Sequence, residues 1–571
     1  MIQIAKNQIA SLLQSLTQLP VEELQKVLEK PKQFEHGHLA FPVFALAKTL
    51  RQAPPQISAE LAGKIQEKIQ SGSLPFLEKV QAVGGFLNFT FKNLYLQDVL
   101  FSSVKEKNIG YSKFGQGRTV AIDYASPNVA KPMHIGHLRA AMVGQAIRNL
   151  AESQGFKVIG INHLGDWGSQ FGKLAWAYQN WGSEYDYSEN PIDSLLKLYV
   201  RFHEEAEKNP ELEALGAATF KKLEDGDQDI KKIWQKMIDY SMKDYDRLLN
   251  GLLGIKHDAV LGESFYNDKM DAVVEELQKK GLLKESEGAQ VVFFEEKDNL
   301  PPCIIKKSDG ASIYATRDLA SAIYRHDVLK ADELLYVVGQ EQTLHFKQVF
   351  KVLEMMGRDW AKNCHHISFG LYRFKEGKMS TRQGKVIRFE DVITQAIELV
   401  RNMIEEKNSA LEHKDTVAKQ VAIGAVIFND LINDRVKNVE FDWDRILSVE
   451  GDSGPYVQYT TVRCKSILRK YGKTPSEKAS LEMAMDEERK LVFQLLQFED
   501  ILNGAYKQYR PNILAQYLLE LCGNFSHFYH KCRILGEAPE VESSRIALVV
   551  ATEKVLIQGL KILNIQAPEA M

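Results

Sequence analysis

Apolar positions along this chain recur with different periods in different stretches, and each stretch implies its own architecture. Ile2–Leu16 and Val21–Leu28 carry helical spacing, and residues 82–91, AVGGFLNFTF, read as a strand with Gly84 and Gly85 at a turn or bulge. Asn108, Gly110, Gly115 and Gly117 crowd a loop-rich exit, so residues 1–110 form a small α+β unit. From Arg118 the pattern alternates. A strand at 119–125, a helix near 136–153 capped by Gly155, and a strand in FKVIGINHLGD predict a parallel, doubly wound sheet. Residues 175–290 interrupt it with charged helical sequence, read as a helical insertion that is mainly a solvated cover. Alternation resumes with PCIIKKSDGASIYAT, whose SDG predicts a hairpin tip. A helix TRDLASAIYRHDVL, a strand at 334–339, a helix TLHFKQVFKVLEMM and a strand at 366–372 follow. The two sheet halves give a split Rossmann-like, nucleotide-binding parallel-sheet domain over 111–390. After Asp391 the period is almost everywhere 3.6, giving a helical linker at 391–450 and an all-α domain over 451–571.

Composition changes this picture little. Of 571 residues, 44% are hydrophobic and 26% charged, ordinary for a soluble globular protein of three or four domains. No apolar run approaches a membrane span, and the first residues lack a signal-peptide layout. The five cysteines (Cys303, Cys364, Cys464, Cys522, Cys532) include no CxxC pair, which argues against zinc and fits a reducing cytoplasm. A net charge of −3 neither implies nor excludes a nucleic-acid partner.

The chemistry concentrates at Asp123–Gly144, DYASPNVAKPMHIGHLRAAMVG. A strand turning sharply into a helix gathers free backbone N–H groups and the positive dipole end, a combination suited to phosphate. His134 and His137 add side-chain donors there, and Gly136 lets a nucleoside lie against the backbone. Read alone, this is as well explained by a helix start with incidental histidines.

His134-Ile135-Gly136-His137 resembles the HIGH element of class I aminoacyl-tRNA synthetases, and Lys378-Met379-Ser380-Thr381-Arg382 resembles their KMSKS element. SPNVAKPMHIGHLR, INHLGDWGSQFG, the GES at 262–264, YATRDLA, GPYVQY at 454–459 and the final APEAM narrow the resemblance to arginyl-tRNA synthetases, over nearly the whole chain. The resemblance implies ligation of L-arginine to tRNA(Arg) with ATP and Mg2+, by a cytoplasmic monomer without zinc. It also implies that tRNA must bind before arginine is activated efficiently. ATP would be held by His134, Gly136, His137, Lys131, Lys378, Met379, Ser380 and Arg382 in and around the 375–388 loop. Thr381 stands where the second KMSKS lysine usually is, and Lys131, just before HIGH, is the implied substitute. Arginine would be held by Asp123, Asn128, His134, Glu263, Tyr314, Asp318 and Gln342. A guanidinium, a planar fork of donors, pairs best with carboxylates. Tyr314 and Asp318, at i and i+4, share a helix face. The resemblance further implies that the N-terminal domain contacts the tRNA elbow and the C-terminal domain the anticodon, through Tyr456, Tyr459, Tyr529 and Met571. A pocket of buried polar groups rejects analogues that leave them unpaired, so no editing domain is expected. Other readings are a class I synthetase for another amino acid, an inactive synthetase-derived tRNA-binding protein, and a small-molecule nucleotidyltransferase.

Overall fold

The computed structural model describes residues 3–31, 33–308, 314–374, 387–476 and 479–571. The N-terminal unit packs helices such as Gln3–Thr17 and Pro54–Gln70 around an antiparallel sheet of β1 (Leu39–Pro42), β2 (Leu77–Val83) and β3 (Phe86–Phe91). Gly84, at φ +59°, makes the tight turn between β2 and β3.

The central domain is built on five parallel strands. β4 (Thr119–Asp123) and β5 (Lys157–Asn162) are joined by the helix Ile135–Ser153, and β6 (Ala259–Val260) adds an edge. The hairpin β7 (Leu283–Ser286) and β8 (Ala289–Val292) pairs with β9 (Cys303–Lys306) in a separate antiparallel sheet. β10 (Glu333–Tyr336) and β11 (Cys364–His366) complete the parallel sheet in the order β11-β10-β4-β5-β6. The direction of winding reverses between β4 and β10, and in such sheets ligands bind beyond the carboxyl ends at that point. Asp123 and Tyr336 face each other in register there.

β12 (Tyr372–Phe374) pairs with β13 (Val439–Phe441), and between them in sequence lie the helices Phe389–Lys407 and Lys414–Leu431. The remaining helices from Gly454 to Ile562 form the C-terminal bundle around Leu495, Leu518, Phe525 and Leu556. This bundle touches both other units. Lys6 pairs with Asp500 at 2.6 Å, and Asn149 donates to the carbonyl of Ile562 at 3.0 Å. All five cysteines are unpaired and buried.

The structure departs from the sequence reading most clearly where the predicted elements meet the ends of the sheet. The stretch after β9 does not return as a strand: Tyr314 opens a helix to Asp327, because Ala315, Leu319 and Ala322 are buried on one helical face. Asp309 and Gly310 of the expected hairpin tip lie outside the described residues. The run 366–372 is broken into β11 and β12, since Gly370 passes so close to the backbone of Lys437 that a Cβ would sit 2.7 Å from it. Finally, 175–290 is not wholly a helical insertion: Ala259–Val260 rejoins the parallel sheet after Leu252, the helix Met270–Lys279 follows it, and the β7–β8 hairpin begins at Leu283. Two residues are too few to show an alternation.

Candidate active site

The turn after β4 is strained. Ala125, Ser126 and Ala130 have φ of 68°, 29° and 61°, a region costly for any residue with a Cβ. Its neighbours hold it in place. The carbonyl of Asn128 accepts from the hydroxyl of Tyr245 at 2.5 Å, and the amide of Ala130 donates to Ser241 at 2.9 Å. Tyr245 and Ser241 belong to the helix Gln228–Asp246, so the charged helices support this loop as well as covering it. On the other side Gly165 accepts from the amide of Val129 at 3.1 Å, and a Cβ on Gly165 would strike Asn128 Oδ1 at 2.2 Å.

The two histidines cap the helix that follows. His134 Nδ1 accepts from the amide of Gly136 at 3.1 Å, and His137 Nδ1 accepts from the amide of His134 at 3.1 Å. Their rings stack with centroids 3.8 Å apart. Burial lowers the pKa of His134, while burial and the neighbouring His134 hold His137 down to about 3. Both imidazoles are therefore neutral at pH 7. With each Nδ1 accepting, the proton sits on Nε2, so the turn carries two imidazole N–H donors beside the helix N-terminus.

Acids gather elsewhere in the same domain. The GES triplet and the HLGDWG loop explain each other. Asp166 accepts from the amide of Ser264 at 2.8 Å and from its hydroxyl at 2.6 Å. Gly262 has no room for a side chain, since a Cβ would lie 2.5 Å from the Asp166 carboxylate. Between them Glu263 stands 3.4 Å from Arg317. Burial pushes the Glu263 carboxyl up to about 7; Arg317 opposes the shift, and Asp166 and Asp318 add to it. Asp318, on the helix Tyr314–Asp327, meets His345 Nε2 at 2.5 Å. Tyr314 opens that helix and is 66% exposed, and Gln342 stands exposed one turn before His345.

Asp123 is placed differently from the expectation that it faces an amino acid. Its Oδ2 accepts from Arg325 at 2.7 Å and its Oδ1 from the hydroxyl of Ser126 at 2.6 Å. Burial disfavours its charge, but Arg325 and His163 outweigh burial and hold the carboxyl below its usual range. Both oxygens are thus occupied by the chain itself, because Arg325 is buried and this is the carboxylate that compensates it. Lys131 Nζ lies 5.5 Å from the ring centroid of Tyr199 on the helix Pro191–Lys208. Lys378, Met379, Ser380, Thr381 and Arg382 lie outside the described residues. The chain that resumes after them is bound to the histidine turn: Ile135 donates to the carbonyl of Ile387 at 3.1 Å, and Phe389 to that of Met133 at 3.0 Å.

Sequence reading missed Arg317, Arg325, Asp166 and His345. The first two fall within or just beyond YATRDLA and Asp166 within HLGDWG, but their roles are set by contacts distant in sequence. His345 had one signal, its place three residues after Gln342.

A second cluster lies where the C-terminal bundle meets the helices Phe389–Lys407 and Lys414–Leu431. Tyr456, Tyr459 and Met571 line one cavity of about 600 Å³ together with Arg463 and His530. Tyr529 joins through Arg463, whose guanidinium lies 5.0 Å from the Tyr459 ring and 5.3 Å from the Tyr529 ring.

Comparison with known proteins accounts for the whole chain. Residues 3–91 match the arginyl tRNA synthetase N terminal domain family, 96–443 the catalytic domain of tRNA synthetases class I (R), and 457–571 the DALR anticodon binding domain family. An arginine–tRNA ligase of Clostridium perfringens is 44% identical over 571 residues, 99% of this chain and 100% of its own length. One from Clostridioides difficile is 44% identical over 98% of each chain. The arginyl-tRNA synthetase structure of Thermus thermophilus superposes with a TM-score of 0.84 at 25% identity over 100% of both chains. That of Plasmodium falciparum shares the fold, with a TM-score of 0.82 over 99% of each chain. The chain belongs to the arginyl-tRNA synthetases of class I.

Proposed function

We propose that the crevice between β4 and β10 activates L-arginine with ATP and that the chain then transfers it to the 3′ end of tRNA(Arg), releasing AMP. The observation that carries this reading is the histidine turn itself: two neutral Nε2–H imidazoles beside a helix N-terminus, in a domain that also gathers Glu263 and Asp318. In the first step a carboxylate oxygen of arginine attacks the α-phosphorus, and the bond to the leaving pyrophosphate breaks. Charge grows on the phosphate oxygens, and donors fixed before the reaction stabilise it most. His134, His137 and the N–H groups at the start of the helix supply them. ATP carries its Mg2+ in as part of the substrate. In the second step a hydroxyl of the terminal ribose attacks the arginyl carbonyl, and AMP leaves.

Asp318 and Glu263 take the guanidinium, with Tyr314 and Gln342 at the lip of the pocket and Asn128 toward the α-amino or carboxylate group. Asp123 acts through Arg325, fixing the helix Tyr314–Asp327 to the end of β4. Lys131 swings from Tyr199 to the phosphates and, with Lys378 and Arg382, supplies charge in place of the lysine absent at Thr381. Tyr456, Tyr459 and Tyr529 stack on anticodon bases and Met571 packs against them, with Arg463 beside the Tyr459 and Tyr529 rings. The enzyme works as a cytoplasmic monomer.

The test is ATP–pyrophosphate exchange with each amino acid, with and without tRNA(Arg). Exchange with arginine alone, and only when tRNA is present, is expected; exchange with another amino acid overturns the assignment. Lys131→Ala should slow adenylate formation by at least tenfold while arginine affinity changes far less, and equal rates in the two proteins would remove Lys131 from the mechanism.

A further inference from the structure

Tyr314 and Asp318 share one face of their helix, and Gln342 and His345 bracket the first turn of the helix Thr343–Met355. These two faces touch at one polar contact, His345 Nε2 to Asp318 Oδ2 at 2.5 Å. Both side chains are about one-fifth exposed, so the pair lies at the edge of the crevice and not in the core. The histidine is itself braced, with its ring edge-on to Phe346 at 5.4 Å, and Phe346 is buried against Tyr336 at 5.0 Å. No other hydrogen-bond donor is seen on the Asp318 carboxylate among the described residues.

We propose that His345 is a positioning residue for arginine selection: it fixes the plane of the Asp318 carboxylate so that the free edge presents a ready-made fork to the guanidinium. This rests on the reading of Asp318 as a guanidinium ligand. A lone carboxylate turns freely about its last bond, and a bidentate pair with guanidinium requires it held in one plane. A donor on Oδ2 leaves Oδ1 and the outer lone pair of Oδ2 for the ligand. The contact further sets the register between the helix bearing Asp318 and the one that Gln342 leads into, so one imidazole aligns both contributions to the pocket.

The test is tRNA-dependent ATP–pyrophosphate exchange with the full chain, comparing wild type, His345→Leu, His345→Gln, Asp318→Asn and the double variant His345→Leu/Asp318→Asn. His345→Leu should raise KM for arginine about tenfold or more, with kcat and KM for ATP within about twofold of wild type. His345→Gln, which keeps a side-chain N–H, should recover most of the loss. In the Asp318→Asn background His345→Leu should cost nothing further. An unchanged arginine KM in His345→Leu, or equal losses with and without Asp318, overturns the proposal. A His345→Leu chain that does not fold leaves the decision to His345→Gln, where a KM near wild type supports the proposal and a loss confined to kcat overturns it. Failure of the wild type itself to exchange with arginine overturns the functional reading as well, which separates the two.

Discussion

On the proposed assignment of Glu263 to the guanidinium, arginine binding competes with a proton that burial makes this carboxyl hold up to about pH 7. Its folded-state value of about 7 lies above the ordinary 4.5, so the folded chain binds that proton more tightly than the unfolded chain does. Its contribution to stability is therefore full below about pH 4.5 and lost as pH rises through 7. An incoming guanidinium favours the ionised form, so arginine binding should strengthen as pH rises through the same window. Measured across pH 6 to 8, KM for arginine should fall in the wild type and stay flat in Glu263→Gln; a wild-type profile as flat as the variant's would rule this out. Gly136 poses a sterner case. A Cβ there would stand 2.9 Å from His134 Cε1 and 3.0 Å from its Nδ1, displacing the imidazole and breaking its cap. Gly136→Ala should lower the rate of adenylate formation by roughly 100-fold, the scale of losing one pre-set donor, with circular dichroism unchanged; a wild-type rate would refute the donor role. These residues were legible in the sequence because HIGH and GES are local words. Arg325 and His345 were not, since each acquires its role only when a segment some 27 or 200 positions away folds against it.

At the level of elements, the histidine helix is held from behind by one buried contact set. Arg139, 1% exposed, donates to the carbonyls of Gly370 at 2.6 Å and Arg435 at 3.1 Å and pairs with Asp430 at 3.3 Å. Tyr372, the first residue of β12, donates to the same Asp430. Thus the helix of the phosphate turn, the strand before residue 375 and the helix Lys414–Leu431 share one charge pair. Arg139→Leu leaves the buried Asp430 without its charge partner and should cost about 3–5 kcal/mol, read as a lower denaturation midpoint; an unchanged midpoint would show that Asp430 is already protonated and that the Tyr372 hydroxyl suffices for it. Burial does raise the Asp430 pKa, against the pull of Arg139, so this experiment also reports its charge state. Helices were the best-read elements, because the long C-terminal ones repeat their apolar face many times. β6 and β13 went unread at two and three residues, lengths at which pairing partners decide and periodicity is silent.

On the scale of the whole molecule, the catalytic sheet and the C-terminal bundle meet at Glu333. That carboxylate, at the start of β10, accepts from Tyr506 at 2.6 Å and also from Tyr509. His365 on the adjacent strand stands 3.8 Å away. Replacing both tyrosines by phenylalanine removes two donors from a partly buried acid, a loss of about 1–3 kcal/mol for each group left unsatisfied. Calorimetry of the double variant should resolve two transitions where the wild type gives one, the bundle loosening before the sheet; a single unshifted transition would mean the docking rests on apolar contacts alone. The order of the three units was visible in the changing hydrophobic period. Their docking was not, since contacts such as Lys6–Asp500 join residues almost five hundred positions apart.

The buried cysteines make the chain a convenient subject for optical work. Burial pushes the thiols of Cys303, Cys364 and Cys522 up to about 12 and raises those of Cys464 and Cys532, so thiolate is scarce as well as shielded. Maleimide dyes should therefore ignore the native chain. A cysteine at Val200, 46% exposed on the charged helices, or at Leu94, 65% exposed beside the N-terminal unit, would be the preferred point of attachment. A donor and acceptor at those two places would follow, molecule by molecule, how the distance between the units changes as tRNA arrives.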